Sequence, residues 1–321
     1  MTTQINTDTR LDSMLEAMML IRAFEENNCA LQASGKAGGT CTAVGQEAAA
    51  VGVVRALSVD DVILTNHRSA GHLLARGADP GRMLDEILGR RDGYCGGKSG
   101  SLHISVKELG VLLTSTIVGG ELTLAPGVAL SRSMLKQPGV VVCFFGDGAA
   151  CEGAFHESLN LAALWKLPIL YVCENNQWQA FVHRKETMLV DRISERASAY
   201  GMQGATVDGN DVEAVAAATK KIVATIRRTS RPFLLETQTY RMRGHFEPDD
   251  QRYVDKSELA TWAAKDPIRR TMQQLLDRSA LTLADIDAMR ARVEGVVERT
   301  ATFAAASPFP PATELTTNVY A

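Results

Sequence analysis

Two apolar runs decide the fold: Gly139-Val-Val-Val-Cys-Phe-Phe-Gly146 and Pro168-Ile-Leu-Tyr-Val-Cys173, each bounded by turn residues. An uninterrupted apolar run of this length is typical of a strand that is covered on both faces, as in a parallel sheet. Residues 153–166, between the two runs, show the spacing of a helix. The segment therefore predicts a strand–helix–strand unit with the right-handed crossover that such units adopt.

Helical and strand-like patterns alternate along the rest of the 321-residue chain. In the predicted helices, apolar residues recur every three or four positions, as expected for one buried face. Helices are predicted at 11–34, 46–57, 80–91 and 211–228, a strand at 232–239, alanine-rich helical structure at 257–306, and an extended surface arm at 307–311.

This alternation predicts an α/β fold with a mostly parallel sheet and helices on both faces. No internal repeat or obvious linker divides the sequence, so residues 1–321 are predicted to form one domain. Within that domain, residues 1–40 would form an N-terminal helical segment. Residues 257–321 would form a C-terminal helical extension and arm.

Composition and charge exclude several classes of protein. With 45% hydrophobic and 22% charged residues, the chain has enough apolar content for a core and is not a disordered sequence. Its 34 basic and 37 acidic residues give a formal net charge of −3, so we expect no nucleic acid and no membrane as partner. The N-terminus has no signal or transit pattern, and the six cysteines include no Cys-x-x-Cys pair. We expect a cytoplasmic protein with reduced thiols.

Polar residues follow both apolar runs. Gly146-Asp147-Gly148 ends the first run, and Glu174-Asn175-Asn176 follows the second. Because the carboxyl ends of parallel strands meet at one edge of a sheet, both motifs belong to its ligand-binding edge. The Asp147 carboxylate and the Asn176 amide oxygen suit an Mg²⁺ ion that also contacts a diphosphate. Gly-Asp-Gly alone also fits a turn in which Asp147 caps the next helix; the second motif favours the metal–diphosphate site.

Ordered motifs over nearly the whole chain resemble the α subunit of the thiamine-diphosphate-dependent dehydrogenases that serve lipoyl multienzyme complexes, namely the pyruvate, branched-chain 2-oxo acid and acetoin dehydrogenases. The motifs are GQEA (45–48), HRSAGH (67–72), GKSGSLH (97–103), IVGG (117–120), GDGA (146–149), AALWKLP (162–168), ENN (174–176), VDGND (207–211), YRMRGH (240–245) and NVYA (318–321). The resemblance implies the thiamine-diphosphate-binding fold, with thiamine diphosphate and Mg²⁺ as cofactors.

The resemblance also implies roles for individual residues. The metal would be held by the side chains of Asp147 and Asn176 and the main-chain oxygen of Trp178. The diphosphate would be bound by His67, Arg68, Gly148, Ala149, Arg241 and His245, and the aminopyrimidine ring by main-chain groups of Thr116 and Val118.

Two histidines are the candidate catalytic residues. His245 and His103 would meet substrate or lipoyl sulfur as proton donors, since imidazole changes charge near neutral pH. For His103, a hydrogen bond that orders its loop is an almost equal alternative. In the family, the carboxylate that activates the aminopyrimidine comes from a separate β subunit, and Glu47, the nearest match by motif, is expected to be structural.

The activity implied by the resemblance is cleavage of acetoin or a short 2-oxo acid, a small-molecule substrate, with transfer of the acyl group to a lipoyl carrier. The chain would act as an oxidoreductase with a β subunit, in an α₂β₂ heterotetramer, and with a lipoyl-bearing acyltransferase. Two alternatives remain open: a synthase that uses the same cofactor to form a carbon–carbon bond without a lipoyl acceptor, and a non-catalytic scaffold subunit. Persistence of the Asp147 and Asn176 pair argues against the scaffold.

Three positions depart from the family pattern. Cys41 and Ala70 stand where many relatives carry histidines near the substrate entrance, and this loss motivates the synthase alternative. Phe246 stands where the mitochondrial pyruvate enzymes have a phosphorylatable serine, so that form of kinase control is not expected. The run at 244–247 most resembles the acetoin branch.

Overall fold

The two apolar runs form neighbouring parallel strands at the centre of a sheet. In the computed structural model, which describes residues 4–317, they are β3 (Val141–Gly146) and β4 (Ile169–Asn175). The strands are in register from Val141 opposite Ile169 to Gly146 opposite Glu174. Both motifs that follow the runs therefore leave the sheet side by side.

Four further strands complete a six-stranded sheet in which all pairs are parallel. They are β1 (Val62–Asn66), β2 (Val111–Ser115), β7 (Gln203–Asp208) and β8 (Phe233–Gln238). The order across the sheet is β2-β1-β3-β4-β8-β7. A separate two-stranded antiparallel hairpin consists of β5 (Trp178–Gln179) and β6 (Val182–His183).

Ten α-helices are assigned within residues 4–317. They are α1 (Leu11–Ala33), α2 (Glu47–Arg55), α3 (Ala70–Arg76), α4 (Pro80–Ile87), α5 (Gly120–Met134), α6 (Gly153–Leu164), α7 (Val212–Thr229), α8 (Lys256–Ala263), α9 (Pro267–Asp277) and α10 (Leu283–Ala306). The mostly parallel sheet with helices confirms the predicted α/β class.

Side-chain alternation along the central strands separates two apolar cores. On β3, Val142 and Phe144 join the core on one face, with α1, α2, α7 and α10, whereas Cys143 and Phe145 join the core on the other, with α5 and α6. Because successive side chains of a strand point to opposite faces, a run that is buried on both must be apolar throughout. This requirement explains the unbroken apolar sequence of β3.

Several elements differ from the sequence-based prediction. The helix predicted at 80–91 ends at Ile87, since Gly89 adopts a left-handed conformation with φ of 69°. The region predicted as helical at 257–306 contains three helices with breaks between them. The prediction missed β1, β2, β7, α3, α5 and the β5–β6 hairpin.

The arm at 307–311 packs against residues 90–92. Ser307 is buried and donates to Asp92 (3.0 Å), while the Pro308 carbonyl accepts the Arg91 N–H (2.9 Å). The NVYA motif at 318–321 lies outside the described residues.

Among residues 4–317, no helix combines the length and apolar character needed to cross a bilayer. The six cysteines, all in this part of the chain, are free thiols, and Cys143 and Cys173 are buried in β3 and β4.

Removing the aromatic ring of Phe144 tests the importance of this core. Phe144 is fully buried and stacks on His72 with ring centroids 3.9 Å apart. Phe144→Ala should lower the free energy of unfolding by about 3–5 kcal/mol, because a cavity remains where the ring was. Urea denaturation followed by circular dichroism measures this change. Leu189→Ala, at a fully exposed position, should change it by less than about 0.5 kcal/mol; equal effects would contradict the assigned core.

Candidate active site

A cavity of about 280 Å³ opens at the carboxyl ends of five strands. Strand β1 leads to β2 on one side of the sheet, and β3 lies on its other side, so the order reverses here, where α/β folds bind ligands. The cavity wall includes residues 66–68 at the end of β1, 117–119 after β2 and 146–149 at the end of β3. It also includes residues 174, 176 and 178–180 at and beyond the end of β4, and 241 and 245 after β8.

Asp147 is the buried acid of this cavity. Its side chain is 1% exposed, and neither carboxylate oxygen has a hydrogen-bond partner among residues 4–317. Burial raises the pKa of Asp147 to about 6. The nearby Arg184 and Arg241 favour the charged form, as do the dipoles of the Asp147 and Asn176 N–H groups, although neither N–H meets the distance and angle of a hydrogen bond. Because buried polar atoms are almost always paired, two unpaired acid oxygens fit a site that binds a cation.

Asn176 is held by hydrogen bonds at both ends of its amide. Its Nδ2 donates to Gln46 Oε1 (3.1 Å), and its Oδ1 accepts the Trp178 N–H (3.1 Å). This second contact leaves Oδ1 one free lone pair. Trp178 is fixed in turn, since its indole N–H donates to the Tyr240 hydroxyl (3.0 Å). The structure thus brings Asp147, Asn176 and Trp178 to one cavity, as the sequence predicts.

Two arginines face the same cavity without an acidic partner. Arg68 donates to the carbonyls of Thr42 and His245, each at 2.7 Å. Arg241 donates to Arg243 O (3.1 Å) and Ala180 O (2.9 Å), while its Nη1 is buried without a partner. Within the described chain, neither guanidinium forms a salt bridge. Buried cations that are fixed by neutral groups are ready to bind an anion.

Two histidines, His67 and His245, lie beside these arginines in the cavity wall. Burial, with the neighbouring Arg68 and Arg241, lowers the pKa of His67 to about 3 and that of His245 to about 4. Both imidazoles are therefore neutral near pH 7. A bound anion would oppose the effect of the arginines and raise both pKa values.

The turn after β3 places Gly148 and Ala149 on the wall of the cavity. Its hydrogen bonds begin with the Ala150 N–H, which donates to Asp147 O (3.2 Å), followed by Cys151 to Gly148 O (3.1 Å). The N–H groups of Gly148 and Ala149 lie at the start of the turn, where donors have no partner within a helix.

Two predicted residues do not line this cavity. Thr116 Oγ1 lies 3.2 Å from His103 Nε2, and His103 Nδ1 lies 3.3 Å from Thr114 O. Neither Thr116 nor His103 belongs to the cavity wall, whereas Val118 does. These contacts of His103 are those expected for the loop-ordering alternative; its role as a proton donor stays a prediction.

Glu47 has the structural surroundings that the sequence suggests. It is fully buried, pairs with Arg22 (2.5 Å) and accepts the Gly45 N–H (3.0 Å). His72 is also enclosed, between Thr65 Oγ1 (2.7 Å) and Glu174 Oε1 (3.0 Å).

Six polar residues of the cavity wall have no role predicted from the sequence: Gln46, Asn66, Glu121, Glu152, Glu174 and Gln179. Gln46 belongs to the GQEA motif and orients the Asn176 amide. The motif could therefore have identified Gln46 as a residue of the site. No sequence signal marks Asn66 or Glu121.

Cys41 and Ala70, two of the three departures from the family pattern, lie together. They line a small second cavity with His67 and the buried Glu25. Glu25 accepts the Ala43 N–H (2.9 Å), next to the carbonyl of Thr42 that holds Arg68. Cys41 and Ala70, in place of the family's histidines, therefore lie in the region next to Arg68.

Comparison with known proteins identifies the family. Residues 16–313 match the model of the family described as "Dehydrogenase E1 component". The chain belongs to this family. Membership implies dependence on thiamine diphosphate, and the proposed family resemblance is confirmed.

Individual relatives of the E1 family align over most of the chain. It is 42% identical over 310 residues to the α subunit of acetoin:2,6-dichlorophenolindophenol oxidoreductase of Bacillus subtilis, covering 96% of this chain and 92% of the relative. It is 37% identical over 304 residues to the pyruvate dehydrogenase E1 component α subunit of Rhizobium meliloti, covering 94% and 87%. The acetoin counterpart from Cupriavidus necator is 37% identical over 277 residues, covering 86% and 83%.

Glu25 provides a test of the buried charges behind the site. Burial raises the pKa of Glu25 from 4.5 to about 7; Glu47 also raises it, whereas the Ala43 N–H, Arg68 and Arg243 lower it. The folded chain therefore binds the proton of the Glu25 carboxyl group more tightly than the unfolded chain does. Its contribution to stability is complete below pH 4.5 and is lost as the pH rises through about 7.

Glu25→Gln should therefore flatten the pH dependence of stability. The free energy of unfolding, measured by urea denaturation, should fall in the wild type as the pH rises from about 5 to about 8. In the variant this fall should be smaller, by up to about 3 kcal/mol. Glu26→Gln changes the exposed neighbouring acid and should leave the wild-type slope. Parallel curves for wild type and Glu25→Gln would show that Glu25 does not titrate in this range.

Proposed function

We propose that the chain is the α subunit of a thiamine-diphosphate-dependent dehydrogenase that cleaves acetoin or a short 2-oxo acid and passes the acyl group to a lipoyl carrier. The main support for this proposal is that one cavity contains both an unpaired acid and unpaired arginines. Asp147 has two free acid oxygens, and Arg68 and Arg241 have no acid partner. A divalent cation with a diphosphate satisfies both requirements at once.

The residues of the cavity fit the cofactor and its metal. Asp147, Asn176 and the main-chain oxygen of Trp178 would hold Mg²⁺, while His67, Arg68, Gly148, Ala149, Arg241 and His245 would surround the diphosphate. In the described chain, no three His, Cys, Asp or Glu side chains form a metal site. A site with one carboxylate suits Mg²⁺, which takes other ligands from phosphate and water.

When bound, thiamine diphosphate supplies a nucleophilic carbon that attacks a carbonyl and allows the adjacent carbon–carbon bond to break. His245 is the side chain of this chain best placed to hold a proton near that reaction. Its Nδ1 lies 3.3 Å from Arg68 Nη2, and arginine can only donate. Nδ1 is therefore the acceptor, and Nε2 of the neutral ring carries the proton.

A β subunit would complete the site. The names of the relatives identify them as α subunits. Ile117 and Val118, on the cavity wall, are 69% and 52% exposed, and Phe181 and Phe246 are 51% and 43% exposed. All four lie on the cavity wall or next in sequence to a wall residue, which supports a protein interface at this place. An α₂β₂ assembly that also meets a lipoyl-bearing acyltransferase, in the cytoplasm, is part of this proposal.

The synthase remains a second candidate because of Cys41 and Ala70, which replace histidines behind the arginine site. Reductive acylation of a free lipoyl domain separates the two activities. A dehydrogenase acylates the domain, whereas a synthase releases a carbon–carbon-bonded product and leaves it unmodified.

Asp147→Ala tests the metal site. Calorimetry of thiamine diphosphate with Mg²⁺, on the chain assembled with its β subunit, should show binding weakened by at least about 100-fold, because the variant lacks the only acidic ligand. Asp191→Ala, at an exposed position, is the matched control and should bind as the wild type does. Equal affinity of wild type and Asp147→Ala would remove the support for the metal assignment.

Turnover should require the second subunit. We expect the isolated chain to reduce no dichlorophenolindophenol with acetoin or pyruvate, because the residues of the α chain form one part of a shared site. Addition of the β subunit should produce activity in an absorbance assay. Activity of the isolated chain at the rate of the assembly would contradict a shared site.

A further inference from the structure

Glu121 is a buried acid of the cavity to which nothing above assigns a role. It lies in the first turn of α5, directly after the cavity-lining segment 117–119. The side chain is 1% exposed, and Glu121 itself lines the cavity. Leu122 and Ala125 of the same helix belong to the core, so packing fixes the position of this turn.

One carboxyl oxygen of Glu121 lacks a partner. Its Oε2 is buried without a hydrogen bond to any residue between 4 and 317, and no cation of that range forms a salt bridge with the side chain. An acid at a helix N-terminus is normally exposed and ionised, because the helix dipole favours its charge. The burial of Glu121 therefore needs a reason other than helix stability.

The surroundings of Glu121 differ from those of Asp147. Arg184 and Arg241 act on Asp147, whereas for Glu121 burial is opposed only by its own backbone N–H. Burial raises the pKa of Glu121 to about 7. Near neutral pH the group is thus partly a neutral carboxylic acid, which can both donate and accept a hydrogen bond.

We propose that Glu121 binds the aminopyrimidine ring of thiamine diphosphate through a hydrogen bond, as a cofactor-binding residue separate from the metal–diphosphate site. This inference rests on the proposed function. The ring offers acceptor nitrogens and a donor amino group, to which a neutral carboxyl is complementary. The diphosphate is a less suitable partner, because its oxygens only accept hydrogen bonds and repel an ionised carboxylate.

Two ligands and two variants test this assignment on the chain assembled with its β subunit. Calorimetry compares thiamine diphosphate with inorganic pyrophosphate, both with Mg²⁺. Glu121→Ala should bind thiamine diphosphate about 10-fold more weakly, the loss expected for one hydrogen bond, and pyrophosphate as well as the wild type does. Glu121→Gln should stay within about 3-fold for both ligands, because an amide also donates and accepts.

The controls separate binding from folding. Glu213 is likewise a first-turn glutamate, in α7, but it pairs with Arg278 and does not line the cavity. Glu213→Ala should leave both affinities unchanged, and melting temperatures show whether each variant is folded. Equal loss of both ligands in Glu121→Ala, or no loss of either, would overturn the assignment. Failure of the wild type to bind thiamine diphosphate would overturn the proposed function and this inference together.

Discussion

The site depends on the buried carboxylate of Asp147, which has no hydrogen-bond partner among the described residues. A buried carboxylate without hydrogen bonds is costly. The same cavity contains Arg68 and Arg241, held by neutral carbonyls instead of acids. A metal cation with a bound anion would pair with both: the cation with the acid and the anion with the arginines. This arrangement supports the proposal that the site binds a metal-bound diphosphate rather than either ion alone.

The sheet makes that arrangement possible. Five parallel strands end at one edge, so residues far apart in sequence meet there without long connections through the core. Asp147 and Asn176 follow neighbouring strands in register, and the Arg241 N–H donates to the Asn176 carbonyl (3.2 Å). The proposed metal ligand Asn176 and the proposed diphosphate ligand Arg241 are thus linked through the backbone. Apolar cores on both faces of the sheet keep these strand ends in place.

The sequence predicts the part of the site that follows β3 and β4, because apolar runs identify strands and the next residues must lie at the sheet edge. It predicts α5 poorly, since Pro126 and Gly127 disfavour a helix; packing against β3 and α6 stabilises it instead. Strand β1 is only five residues long, which is short for a periodic signal. Glu121 gives no signal either, because a first-turn glutamate is usually exposed, and its burial depends on tertiary structure.

The most direct measurement is a crystal structure of the assembled α and β subunits with thiamine diphosphate, in which Mn²⁺ replaces Mg²⁺ and is located by anomalous scattering. We expect one metal peak per α chain, at coordination distance (about 2.1 Å for Mg²⁺) from an Asp147 carboxylate oxygen and Asn176 Oδ1, and in contact with the diphosphate. A metal bound elsewhere, or Asp147 and Asn176 oriented away from it, would contradict the proposed metal–diphosphate site.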